Sequence, residues 1–221
     1  MSTVSGVEVP SAVLELPRLR GRVHQAAFVV SLLGLAWLVV LADGTREVIA
    51  AAVYGLAMVL LYFVSSTYHV FARGPRIRPF MRRLDHSMIF VMIAGTYTPV
   101  CLLALHGAWG WGLLIAVWAG ALIGITLKVA GLEKYRKISA PLYIVLGWLA
   151  VIATPQLFDR PDLLVLAMVG GVFYTAGAIM FAAQWPGRVA KWWGYHEWWH
   201  TFTILAGVCF FAMNAWLIAS G

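Results

Sequence analysis

Seven apolar runs divide the chain, near residues 26–42, 48–72, 84–105, 109–127, 138–155, 163–183 and 196–219, with short polar stretches between them. Within each run the apolar residues are continuous and do not alternate, which argues for helices and against the strands of a barrel. A helix needs roughly 20 apolar residues to cross the hydrocarbon core, with a range of about 17–25. It also satisfies its own backbone N–H and C=O groups where no water can. The pattern predicts an all-α integral membrane protein with seven transmembrane helices. A polar tail over residues 1–25 would precede a seven-helix membrane domain over 26–221.

Composition agrees. The chain is 62% hydrophobic and 11% charged, with mean hydropathy +0.85, whereas a soluble domain carries about 25% charged residues. The tail does not read as a signal peptide. It is mixed in charge, holds two prolines, and the first run ends in Ala42-Asp43-Gly44 without a small-x-small cleavage site, so the first span is expected to be retained. Cys101 and Cys209 fall inside spans 3 and 7 and read as buried thiols rather than a disulfide framework. Pro99 and Pro141 should bend or locally open spans 3 and 5. Gly170, Gly171 and Gly177 in span 6 suit close helix packing. Trp192, Trp193, Trp198 and Trp199 suit an aromatic belt at one boundary.

A net charge of +7 could suggest a nucleic-acid partner. The distribution of charge excludes that reading. Lys and Arg number three in the tail, five between spans 2 and 3, four between spans 4 and 5 and two between spans 6 and 7, fourteen in all. The alternate loops hold one, none and one. This is the positive-inside pattern, and it places the N-terminus in the cytoplasm and the C-terminus outside a plasma (inner) membrane. Basic loops such as RGPRIRPFMRR at 73–83 would then face anionic headgroups.

Ionisable groups inside a membrane are costly, so each needs a reason. Span 2 ends FVSSTYHVFAR, with Ser65 and His69. Span 3 begins RRLDHSMIF, with Asp85 and His86. Span 7 begins YHEWWHTF, with His196, Glu197 and His200. Under the predicted topology all three stretches lie at the cytoplasmic end. His196 and His200 are one helical turn apart and share a face, about 6 Å from each other, as do Ser65 and His69. Three neutral imidazoles around Zn2+ leave a fourth position open, the pattern of a catalytic rather than a closed site. Asp85 would orient or deprotonate a water there, or serve as a fourth ligand. The plainer alternative is a set of interfacial histidines hydrogen-bonded to backbone or lipid. His24 and His106, in the tail and an outer loop, take that plainer reading, and His86 points about 100° away from Asp85.

HEWWH at 196–200 also matches the H-E-x-x-H signature of metalloproteases, with Glu197 as base. That reading needs a further ligand, and no Asp, Glu or His follows His200.

Taken together, Ser65-x-x-x-His69, Asp85 after a short basic loop, Gly95-Thr96-Tyr97-Thr98-Pro99 and His196-x-x-x-His200 resemble the hemolysin III branch of the progestin and adipoQ receptor family. The resemblance covers essentially the whole chain. It implies a seven-helix membrane fold with zinc held by His69, His196 and His200, a water-positioning role for Asp85 and a supporting polar role for Ser65. Related adiponectin receptors and alkaline ceramidases look like hydrolases of lipid amides, and bacterial members bear the hemolysin name. Three expectations follow. The chain is a zinc-dependent hydrolase of a lipid amide or ester, with membrane lipid as substrate or ligand. Or it is a receptor, regulator or cytolysin with structural zinc. Or it is an intramembrane protease.

The charge distribution yields a direct test. Reporter fusions should place residues 73–83 in the cytoplasm and Gly221 outside; a C-terminal reporter active only in the cytoplasm would reverse the orientation.

Overall fold

The computed structural model describes residues 3–4, 7–8, 17, 19–130, 136–187 and 192–220, with backbone alone for 136–140. Most of the polar tail, together with Lys134, Arg188 and Lys191 of the basic loops, lies outside the described residues. The fold is helical, as the apolar runs require. The helices are α1 (Arg22–Leu41), α2 (Thr45–Val70), α3 (Ile77–Pro99), α4 (Gly107–Val129), α5 (Arg136–Trp148), α6 (Pro161–Ala183) and α7 (Tyr195–Ala219). The one β pairing among the described residues is a two-residue antiparallel ladder, β1 (Thr3–Val4) with β2 (Val7–Glu8).

Six of these helices are long and apolar enough to cross a membrane; α5 alone is not. It continues, however, as a 3-10 helix over Leu149–Leu157. At about 1.5 Å per α residue and 2.0 Å per 3-10 residue the pair rises roughly 35 Å, enough for a core of about 30 Å. The chain is therefore a seven-helix, multi-pass membrane protein.

Three boundaries differ from the expected ones for physical reasons. α3 starts at Ile77, so Arg78, Arg82 and Arg83 lie on its first turns rather than in a loop. Hydropathy cannot see a helix that begins among headgroup-facing arginines. α1 starts at Arg22, which moves His24 out of the tail and into a helix. The regular α geometry of α5 is lost after Trp148, ahead of Pro155, whereas Pro141 is accommodated inside the helix. Pro99 behaves as expected: α3 opens directly after it into a π turn over Val100–Ala104.

Consecutive helices pack in chain order, and α1 against α7 closes the ring. The three most enclosed helices are α2, α3 and α7, with 61%, 50% and 39% of their apolar windows buried, against 17%, 22% and 17% for α1, α4 and α6. These three are the helices that carry the candidate site. Their approach depends on small residues. A methyl group at Gly95 of α3 would come within 2.5 Å of Ala57 Cβ on α2. The polar residues around Gly95 tie the helices further. Tyr97 donates to the Leu146 and Gly147 carbonyls of α5 at 2.9 and 2.8 Å, and Trp118 of α4 donates to Thr98 Oγ1 at 3.2 Å. Cys101 is buried, Cys209 partly so, and both are free thiols.

Of the span 6 glycines, Gly177 sits against α7 and Gly171 faces open space. A Cβ at Gly177 would lie 2.7 Å from Phe202 Cβ, while one at Gly171 meets nothing within 4 Å. Gly177→Ala should therefore cost about 1–3 kcal/mol through overpacking. Gly171→Ala should be neutral or slightly stabilising. Thermal unfolding in detergent checks the contrast; equal melting temperatures would mean that α6 and α7 are not held at this distance.

Candidate metal centre

The site forms where the end of α2 meets the start of α7. His69 occupies the last turn of α2, and His196 and His200 the first two turns of α7. One turn of α7 separates the two rings of the latter pair, and their centroids stand 4.7 Å apart. The His69 centroid is 4.7 Å from that of His196 and 4.9 Å from that of His200. One nitrogen from each of the three rings lies within 4.8 Å of the others. Phe181 of α6 closes one side, with its ring 5.3 Å from His196.

Two observations test whether these residues fit a metal. The Nε2 of His200 is buried and has no hydrogen-bond partner. Buried polar atoms are nearly always paired, so this one calls for an explanation. The second is a distance. Nitrogens bound tetrahedrally at about 2.0–2.1 Å stand roughly 3.3 Å apart. His69 Nε2 and His196 Nε2 are 3.2 Å apart. Three neutral imidazoles also match the donor preference of Zn2+. The residues present fit the ion.

Ser65, one turn before His69 on α2, is buried, and it is a polar neighbour of the Asp85 carboxylate on α3. Asp85 is thus placed against the turn of α2 that precedes His69. It does not join the three-His group, whose nitrogens converge without it. His86 turns away. Its Nδ1 is 2.7 Å from the Arg82 carbonyl, and its side chain is 40% exposed.

Glu197 has a different task from that of a protease base. It is fully buried, and both of its oxygens are engaged. Arg20 Nε donates to Oε1 at 2.7 Å, and the Gly194 N–H donates to Oε2 at 2.8 Å. The carboxylate thus caps the start of α7 and latches the segment before α1. That segment runs over His69. Gly21 has φ 78°, and a Cβ there would lie 2.5 Å from His69 Cβ, so both its conformation and its space demand glycine.

Sequence reasoning missed His24. It is 3% exposed, and its Nε2 lies 2.9 Å from His200 Nδ1. The signal was present: Arg22 to Leu41 is long enough to extend span 1 back past His24 by one turn. His106, by contrast, is exposed at the cap of α4.

A polytopic helical membrane protein with a three-histidine centre at one end of its bundle is thus defined by the fold and the site. The Haemolysin-III related family model matches residues 14–211, and the chain belongs to that family. Hemolysin-3 of Bacillus cereus is 35% identical over 186 residues, covering 82% of each chain. The Hemolysin-3 homolog of Bacillus subtilis (strain 168) is 31% identical over 186 residues, 82% of this chain and 84% of its own. The human Monocyte to macrophage differentiation factor is 25% identical over 202 residues, 89% of this chain and 82% of its own.

The latch can be tested directly. Arg20→Met leaves Glu197 buried without its counterion and should cost up to about 3 kcal/mol, with Arg20→Lys milder. An unchanged melting temperature in Arg20→Met would show that the ion pair does not hold this segment.

Proposed function

We propose that the chain is a zinc-dependent intramembrane hydrolase acting on a lipid amide or ester, with a role in membrane lipid homeostasis. The observation that carries the proposal is the convergence of His69, His196 and His200, with the His200 Nε2 buried and unpartnered. The Asp85 carboxylate neighbours Ser65, one turn along α2 from His69, and stands outside the three-His group. That arrangement suits three ligands and a separate base better than a closed four-ligand site. The charge pattern supports a cytoplasmic position for the centre.

Zinc, when bound by His69, His196 and His200, polarises a carbonyl and makes water acidic near neutral pH. Asp85 takes the proton as the water oxygen attacks the carbonyl carbon. It then returns that proton to the departing amine or alcohol, so the group ends each turnover as it began. Ser65 donates to Asp85 and fixes the direction in which the carboxylate accepts. The surrounding hydrocarbon keeps competing water away, which strengthens each of these electrostatic contacts.

A second reading, a non-enzymatic regulator, receptor or hemolysin III-type cytolysin with structural zinc, is favoured by the names of the Bacillus relatives. One set of experiments separates the two. Wild-type protein should hold about one zinc, and Ala at His69, His196 or His200 should each remove most of it. Glu197→Gln should keep the zinc. In vesicles containing lipid amides and esters, Asp85→Asn should retain zinc and lose turnover by about 10²–10⁴-fold. Zinc loss with a lower melting temperature in Asp85→Asn would make Asp85 a ligand and sink the hydrolase mechanism. Dye leakage from the same vesicles without turnover would favour the cytolysin.

A further inference from the structure

We propose that His24 of α1 is the positioning residue of the metal centre: it accepts the Nδ1–H of His200 and so fixes the ring whose Nε2 faces His69 and His196. The inference rests on the metal reading above and adds a residue to it. His24 is not one of the three converging histidines; it stands behind one of them. Its ring meets that of His200 edge-on, with centroids 3.9 Å apart and planes at 81°. The short contact joins His24 Nε2 to His200 Nδ1, on the side of the His200 ring away from the unpartnered Nε2.

Proton placement follows from that geometry. A neutral imidazole carries one N–H and one lone pair. For His200 Nε2 to face a cation, its lone pair must be free, so the proton sits on Nδ1. The acceptor 2.9 Å away is His24 Nε2. His24 in turn carries its proton on Nδ1, a buried donor without a partner, which is the cost of this arrangement. In the opposite arrangement His24 Nε2 holds the proton, His200 Nδ1 accepts it, and the His200 proton sits on Nε2. That state turns an N–H toward His69 and His196 and closes the centre. The two arrangements exclude each other, so His24 sets which face of His200 is a ligand. Partners of this kind orient ligating histidines and raise their basicity.

The environment of His24 argues that it serves His200. Besides His200, its polar contact is Thr203 Oγ1 at 3.1 Å; because Thr203 donates its proton to the His200 carbonyl at 2.8 Å, His24 Nε2 can donate to it only in the opposite arrangement, and a cation at His200 has to displace that bond. Tyr62 packs edge-on against the ring at 5.1 Å. An imidazole kept only for packing would be better replaced by an apolar side chain at this depth. Arg20 and Gly21, immediately before α1, fasten that end of the helix to Glu197 and His69 and so hold His24 in place.

The test measures zinc affinity of the full chain in detergent by competition with a chromophoric chelator, with Co2+ spectra beside it. His24→Ala and His24→Phe should weaken zinc by about 10–100-fold and shift the Co2+ bands. His24→Gln, whose carbonyl can still accept from Nδ1–H, should recover much of the loss. Affinity within threefold of wild type in all three variants would overturn the proposal. So would full affinity in His24→Phe alone, since that would reduce the role of His24 to packing. If the variants fail to fold, 15N-histidine spectra of zinc-loaded wild type decide the matter: a proton on His200 Nδ1 supports the proposal, and one on Nε2 overturns it. Wild-type protein without any zinc would bring down the metal reading itself, an outcome seen before any variant is made.

Discussion

The imidazole of His200 is buried at the meeting point of three other histidines, where hydrocarbon leaves it no water to bond. Every polar atom at that depth must find a partner in the protein or carry a penalty of several kcal/mol. One nitrogen of His200 finds His24; the other has no hydrogen bond. The constraint reaches outward from there. α1, α2 and α7 must meet at one level and stay there, and the loops and caps at that end of the bundle are arranged to keep them so.

The means of keeping them are small residues and committed polar groups. Gly95 lets α2 and α3 approach closely, and Ser65 and Asp85 are neighbours across the same pair of helices. Gly177 does the same for α6 against α7, bringing Phe181 over His196. Tyr97 covers the Leu146 and Gly147 carbonyls where α5 leaves α geometry, so the shortest apolar helix is tied to one of the most enclosed. In a membrane, where apolar side chains gain little by leaving lipid, such close contacts and internal hydrogen bonds are what hold helices together.

The seven spans were legible because the thickness of the bilayer sets one length for every crossing element. Their ends were less so. Arg78, Arg82 and Arg83 look like loop on a hydropathy count, yet helix geometry costs arginine little, and headgroups accept the charge. The convergence of His69 with His196 and His200 was legible through topology, since alternate spans reverse direction and bring distant segments to one level. His24 was not, because composition assigned it to a polar tail. Which histidine stands behind which ligand is a matter of ring orientation across two helices, and spacing along one helix says nothing of that. The adjacency of Asp85 and Ser65 was implied by family resemblance, and the packing of α2 against α3 makes the two side chains neighbours.

HEWWH shows how one motif can carry two unrelated demands. The first turn of α7 presents unpaired N–H groups and the positive end of a helix dipole, so an acidic residue at its third position is favourable whatever the chemistry nearby. Glu197 meets that demand through Gly194. Its second oxygen is then directed at Arg20. His196 and His200, flanking it at helical spacing, turn toward α2 instead. The resemblance to a protease signature arises because the helix cap and the histidine cluster share the same two turns of one helix, with the carboxylate on one side and the imidazoles on another. The carboxylate therefore acts on the centre through the chain it holds. By fastening Arg20 it sets the first turn of α1, and with it the position of His24 behind His200.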